Sequence, residues 1–310
     1  MRYLVTGASG LLGLNLSLWL SKEHEITGVI HRPELKNAPY PVIVTDLSLP
    51  GECARVVEQV KPDVIIHTAA MAIVDECESQ PERAMKVNAE LPGTLAGISR
   101  KLGIQMLHIS TDAVFDGQRG GYSEEDKPNP LGVYAQTKLA GEQAILNENA
   151  DALIARVNFY GFSLRGQRSL AENFIKKFET GQGMNGFTDV FFCSLYVMDL
   201  SQKLIRMLEL KLKGLYHTVS HECISKYEFG VRIARTFKFN PDLINPISVN
   251  DSGLVARRSP KLCLNVSKLE KVLGEPMPTQ DEGLQKFFGA YKNGTREHLL
   301  SFLAESVRRT

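Results

Sequence analysis

Short runs of β-branched and aliphatic residues alternate, along the first half of the chain, with longer segments whose apolar positions recur at helical spacing. Tyr3-Leu4-Val5-Thr6 reads as a buried strand, followed by a glycine-rich turn and a helix over Leu12 to Ser21. Further strands are expected at 26–30, 42–44, 64–67, 106–110 and 153–157, with helices at 53–60, near 82–102 and in the segment that carries Tyr134. Apolar strands separated by helices predict an α/β protein with a doubly wound parallel sheet, right-handed crossovers and helices on both faces. After Tyr160-Gly161 the alternation weakens. Helices are expected at 170–179, 200–210 and 226–237 between Gly- and Pro-containing stretches, and Gly214 to Val219 is expected to return to the sheet. The second unit should therefore be smaller and discontinuous.

Composition narrows the function classes. The 310 residues are 43% hydrophobic and 23% charged, ordinary values for a globular chain long enough to build a full α/β core. A net charge of +1 gives no general attraction to nucleic acid or to an acidic membrane surface. No apolar run reaches the ~18 residues of a membrane span. The N-terminus enters a strand at once, without a basic stretch leading into a cleavable apolar one. The five cysteines, Cys53, Cys77, Cys193, Cys223 and Cys263, are odd in number and show no close metal-type pairing, which fits a reduced, cytoplasmic setting. His217, His221 and Cys223 lie in or beside the expected strand 214–219, where helical ligand spacing is lacking, so no metal site is expected. Leu299, Leu300, Phe302 and Leu303 recur at helical spacing and should pack against the body or against a second copy in a homodimer.

The first chemical motif is "TGASGLLG", with Gly7, Gly10 and Gly13 between the first strand and first helix. Glycine there permits a tight turn, close approach of backbone to a pyrophosphate and helix-on-strand packing. The helix N-terminus, including Ser9, Leu11 and Leu12, would offer free N–H groups to phosphate. A protein that prefers NAD usually ends its second strand with Asp or Glu, but here the residues are His31 and Arg32. Cationic or neutral donors suit a 2'-phosphate, so NADP(H) is expected over NAD(H) unless Arg32 is only a surface charge. Asp46-Leu47 ends the third strand where adenine would sit, and Thr68-Ala69-Ala70 ends the fourth with small residues beside a cofactor.

Two more segments complete the pattern. "HISTDAVFDG" places Ser110 and Thr111 at the carboxyl end of a strand, where ligands of open parallel sheets bind, and both are expected to face the crevice. "VYAQTKLAGE" places Tyr134 and Lys138 one helical turn apart, so that they share a face and their polar ends can converge on one ligand. These elements, in this order, resemble the extended short-chain dehydrogenase/reductase superfamily. Within it the chain is similar to the dTDP-4-dehydrorhamnose reductase family, through "TAAMAIVDECESQPERAMKVNAELPGTLA", "HISTDAVFDG", "YSEEDKPNPLGVYAQTKLAGE" and "RRSPKLCLNVSKLEKVLG".

The resemblance implies a Rossmann-type NADP-binding domain over 1–162 and approximately 189–220. It further implies a sugar-nucleotide domain over approximately 163–188 and 221–310, and NADPH-dependent reduction of a nucleotide-linked 4-keto sugar. Tyr134 would act as proton donor, Lys138 would support it and hold the nicotinamide ribose, and Thr111 would orient the carbonyl oxygen. Asn88 either supports the lysine through backbone or water contacts or stabilises its own helix. Asp112, Ala113, Asn158 and Phe159 would face the substrate, and Arg257 either clamps its pyrophosphate or lies in a solvated loop.

Ala113 stands where relatives usually carry a tyrosine, and Asn158-Phe159 where rhamnose-forming relatives often have serine and tryptophan. Two alternatives stay open. One is a sugar-nucleotide epimerase or dehydratase, although dehydration commonly uses an Asp-Glu pair where this chain has Asp112-Ala113. The other is a nucleotide-binding regulatory subunit resembling that of methionine adenosyltransferase.

Overall fold

The computed structural model describes residues 1–32, 34–252 and 259–304. The first half of the chain lays down six strands, β1 (Arg2–Thr6), β2 (Glu25–Ile30), β3 (Val42–Val44), β4 (Val64–His67), β5 (Gln105–Thr111) and β6 (Leu153–Val157). A seventh, Gly214–Thr218, returns from the second half, as expected, to pair with β6. All seven are parallel, in the order (214–218)-β6-β5-β4-β1-β2-β3. The direction of winding reverses between β1 and β4, which opens a crevice at their carboxyl ends. Strands β4 and β6 are buried at every position, as a sheet covered on both faces requires.

The helices are α1 (Leu11–Leu20), α2 (Glu52–Val60), α3 (Val74–Ser79), α4 (Pro81–Met85), α5 (Leu91–Leu102) and α6 (Val133–Glu148). The single helix expected near 82–102 is interrupted by a π-helical turn at Lys86–Glu90, which joins α4 to α5. One extra residue per turn there shifts the side chains of "KVNAE" relative to a regular helix and turns Asn88 inward.

The C-terminal half packs around one aromatic cluster in which Phe287 meets Tyr160, Phe162, Tyr196 and Phe237 at centroid distances of 4.4–5.6 Å. Helices Leu170–Glu179 and Gln280–Lys292 each begin with a full capping box, Ser169 with Glu172 and Thr279 with Glu282. The C-terminal helix Thr295–Ser301 and the residues after it bury Leu299, Phe302 and Leu303 against the body. Among the described residues no helix is long and apolar enough to cross a membrane.

The cysteines depart from the sequence expectation. Cys223 and Cys263, 40 residues apart, are joined in a disulfide with Cα atoms 5.5 Å apart, while Cys53, Cys77 and Cys193 are free and buried. The Cys193 sulfur lies within 4.8 Å of both bonded sulfurs. Neither an odd count nor the spacing can reveal a pair that folding alone brings together.

Candidate active site

A cavity of about 820 Å³ opens at the carboxyl ends of β1, β2, β3 and β4. Gly7, Ser9, Gly10, Leu11, Leu12 and Gly13 line one part of it, His31, Arg32, Asp46 and Leu47 a second, and Thr68, Ala69, Ala70 and Phe159 a third. The glycine turn has the shape an anion needs. Gly7 has φ +70°, and a Cβ on Gly13 would stand 2.3 Å from the Gly7 carbonyl oxygen, so side chains are barred where backbone must come close. Helix α1 begins at Gly10 without a side-chain cap, which leaves its first N–H groups to a ligand. These features fit a dinucleotide pyrophosphate.

His31 and Arg32 are exposed at the rim. Burial pushes the Asp46 carboxyl upward, but Ser48 and His31 outweigh it and hold it below its ordinary value. Sequence reasoning missed Glu34, Arg165 and Arg168, which also line the cavity. Arg165 bonds Glu34 at 2.9 Å, so the loop after β2 is tied to the segment after Tyr160. The signal in the sequence was the pair of arginines around Gly166, whose φ is +67°.

Beyond the glycine turn, the catalytic candidates meet at the end of β5. The Thr111 hydroxyl lies beside the Tyr134 phenol, donates to Asp112 Oδ1 at 3.1 Å and accepts from the Ala113 amide at 3.2 Å. Desolvation pushes the half-buried Tyr134 phenol up to about 12, with the Thr111 contact opposing and the Asp112 charge reinforcing. The phenol is therefore protonated at neutral pH. Lys138 is 2% exposed, and burial pulls its ammonium down to about 8 against the pull of Glu142. It donates to the Ile109 carbonyl at 2.7 Å and contacts His108 Nε2 at 3.1 Å.

Ser110 is placed differently from the expectation. Successive side chains of a strand point to opposite faces, so Ser110 and Thr111 cannot both face the crevice. The Ser110 hydroxyl instead turns under α6 and donates to Glu142 at 2.5 Å. Glu142 also accepts two bonds from Arg156, at 2.9 and 2.7 Å, and both side chains are nearly inaccessible. Arg156 lies over the Phe115 ring and reaches His217 Nε2 at 3.4 Å, while His217 Nδ1 meets the Asn265 carbonyl. His221 pairs with Glu270. Ser110 and both histidines are thus occupied by structural contacts.

Among the described residues Asn88 makes no hydrogen bond to the lysine. Its amide accepts from the Met71 N–H at 2.9 Å and donates to the Met71 carbonyl at 3.0 Å and to Thr137 at 3.1 Å. It clamps the cavity-lining loop after β4 to α6. On the other side Asn158 donates to Asp112 Oδ2 at 2.8 Å, and Ala113 sits in the short turn after β5 with no ring to offer. Arg257 lies outside the described residues.

Asp112 is 4% exposed, and burial pushes its carboxyl up to about 6 despite the Asn158 and Thr111 hydrogen bonds. An unfolded aspartate ionises near ~3.9, so between that pH and about 6 the folded chain holds the extra proton and stability falls as pH rises. Asp112→Asn should abolish that decline and be more stable than the parent by roughly 1 to 3 kcal/mol at pH 7. Thermal melts from pH 4 to 7 would show it; equal stability at pH 7 would refute the raised carboxyl.

The chain matches the RmlD substrate binding domain family over residues 1–293. It is 31% identical, over 93% of its length and 98% of the relative's, to the probable low-salt glycan biosynthesis reductase Agl14 of Haloferax volcanii. It is 30% identical, over 98% of its length and 89% of the relative's, to methionine adenosyltransferase 2 subunit beta of Mus musculus. Among solved structures, dTDP-4-dehydrorhamnose reductase of Bacillus anthracis in complex with NADP superimposes with a TM-score of 0.79 at 27% identity, covering 93% of this chain and 98% of that one.

Proposed function

We propose that this chain, which belongs to the dTDP-4-dehydrorhamnose reductase family, reduces the 4-keto group of a nucleotide-linked deoxysugar with NADPH. The observation that carries the reading is the placement of Thr111 beside Tyr134 at the end of β5, with Lys138 bonded to the carbonyl of Ile109, a residue of the cavity that the uncapped glycine turn also lines. Residues 1–162 with about 189–220 would hold the dinucleotide, and the remainder the sugar nucleotide. Gly7, Gly10 and Gly13 would take its pyrophosphate and Lys138 its nicotinamide ribose. When bound, the cofactor supplies the hydride.

The side chains have the states this reaction needs. A carbonyl that gains hydride develops negative charge on oxygen and must be given a proton. Tyr134 holds a proton throughout the neutral range and stands next to Thr111, whose hydroxyl can exchange Asp112 for the substrate oxygen. In this reading the Lys138 ammonium would lower the cost of the phenolate left behind. Asp112 and Asn158 fix the turn that holds Thr111. With Ala113 in place of a ring, the sugar side of the crevice would be wider than in relatives that carry tyrosine, and the sugar accepted should differ accordingly. The panel that tests the reading is NADPH oxidation against nucleotide-linked 4-keto sugars with varied base and sugar.

Cofactor choice rests on Arg32. A guanidinium at the rim after β2 can bind a 2'-phosphate that a carboxylate would repel. Charge-assisted hydrogen bonds of this kind contribute roughly 1.5 to 3 kcal/mol, so Arg32→Ala should weaken NADPH by about 10- to 100-fold and leave NADH almost unchanged. Titration of both cofactors at fixed ionic strength checks it. Equal losses for the two would reduce Arg32 to a surface charge.

The similarity to a methionine adenosyltransferase subunit supports a second reading, a nucleotide-binding regulatory subunit. The intact Thr111, Tyr134 and Lys138 favour catalysis, and turnover on the sugar panel separates the two.

A further inference from the structure

Thr6 on β1, His67 on β4 and His108 on β5 stand side by side in matching register on one face of the sheet. The Thr6 hydroxyl lies 2.7 Å from His67 Nδ1, the two imidazoles stack with centroids 5.2 Å apart, and His108 Nε2 lies 3.1 Å from the Lys138 amine. Thr6, His67 and His108 are wholly inaccessible. Simple sheet packing does not account for two imidazoles here, because His67 Nε2 and His108 Nδ1 have no hydrogen-bond partner among the described residues. A leucine or phenylalanine at either place would leave no such buried polar atom unmet. What the second imidazole offers in return is its contact with Lys138.

An ammonium only donates, so His108 must present a lone pair at Nε2 and carry its proton on Nδ1. Burial and the Lys138 charge keep both rings neutral. The lysine therefore sits between a carbonyl and a neutral imidazole. The carboxylate that acts on it, Glu142, is committed to Arg156 and Ser110.

We infer that His108 is a positioning residue, whose neutral Nε2 fixes the Lys138 amine against the Ile109 carbonyl on β5 without adding the negative charge of a carboxylate partner. The inference rests on the reductase reading for its purpose, though not for its geometry. An ammonium held by neutral acceptors passes a proton more readily than one paired with a carboxylate. After Tyr134 has protonated the substrate oxygen, the proton that restores the phenol can leave Lys138 as its ammonium becomes an amine, which regains a proton from solvent at product release. The groups that face this exchange are Tyr134 and Glu142 from α6, His108 from β5, His67 from β4, Cys77 from α3, Arg156 from β6 through Glu142, and Asp112 from the turn after β5.

The test reads the lysine directly. In protein carrying ¹³C at the lysine ε-carbons, the Lys138 resonance is assigned by its disappearance in Lys138→Arg, and its titration midpoint is compared between the parent and His108 variants. His108→Gln, which can present a carbonyl oxygen to the amine, should keep the midpoint near that of the parent. His108→Leu should lower it by about one unit, and His108→Glu should raise it by more than one unit. The alkaline limb of kcat/KM should move in the same directions, which a purely structural defect would not produce. If His108→Leu does not fold, His108→Ser, too short to reach the amine, replaces it. An unchanged midpoint in these variants overturns the role of His108, even if the parent turns over sugars. Shifted midpoints in a chain that oxidises NADPH with no sugar would uphold the positioning and overturn the reductase reading instead.

Discussion

Tyr134→Phe is expected to lower turnover at least about 100-fold while leaving NADPH affinity nearly unchanged, because it deletes the proton donor and keeps the ring. The size of the effect follows from the site. The phenol lies beside Thr111 at the strand end, and its pKa, raised to about 12 by burial, leaves it protonated for donation. Asp112, at about 6, is ionised near pH 7 and cannot donate in its place. The loss should appear in kcat and in kcat/KM together, since the proton moves in the transition state. Near-normal turnover would remove Tyr134 from the mechanism.

The largest effect on stability is expected at Glu142. Its carboxylate holds Arg156 by two hydrogen bonds and Ser110 by a third, with both charged side chains almost fully buried. Glu142→Ala would leave the Arg156 guanidinium buried without its counter-charge, at a cost of roughly 3 to 5 kcal/mol. Replacing both partners, as in Glu142→Leu with Arg156→Met, should recover much of that loss, because the apolar pair has no charge to desolvate. Urea denaturation of the three proteins measures it. A loss below about 1 kcal/mol in Glu142→Ala would mean that water reaches the guanidinium and that the pair is effectively a surface one.

Much of the first half of the chain could be read before folding. Strands such as Val64–His67 and Leu153–Val157 are largely apolar runs, broken only by His67 and Arg156, of the kind a doubly covered sheet demands, and they are observed at those residues. The glycine turn and the Tyr134–Lys138 pair were legible because each motif is local. What escaped depends on contacts between distant segments. The two-residue strands Phe159–Tyr160, Phe191–Phe192, Leu195–Tyr196 and Lys261–Leu262 are too short to show a period, and only their partners define them. Helix Gln280–Lys292 carried a capping-box signature in Thr279 and Glu282 that could have announced it.

The site shows the same division. Thr111 could be placed from its position after β5, but its neighbour Ser110 belongs to the other face of the strand, and the period of two says so. Asn88 could be singled out, yet its bonds to Met71 and Thr137 exist only because a π-helical turn points it inward. Nothing local marks Glu142, whose role is defined by Arg156 and Ser110 beneath it.

The central claim is that hydride passes to the carbonyl carbon of a nucleotide-linked 4-keto sugar. Incubation with NADPH deuterated at the transferring position of the nicotinamide, followed by NMR of the product, tests it most directly. The account predicts deuterium on C4 of the sugar in the parent and almost none with Tyr134→Phe in the same time. NADPH left unconsumed with every keto sugar of the panel, or deuterium found at another carbon, would contradict it.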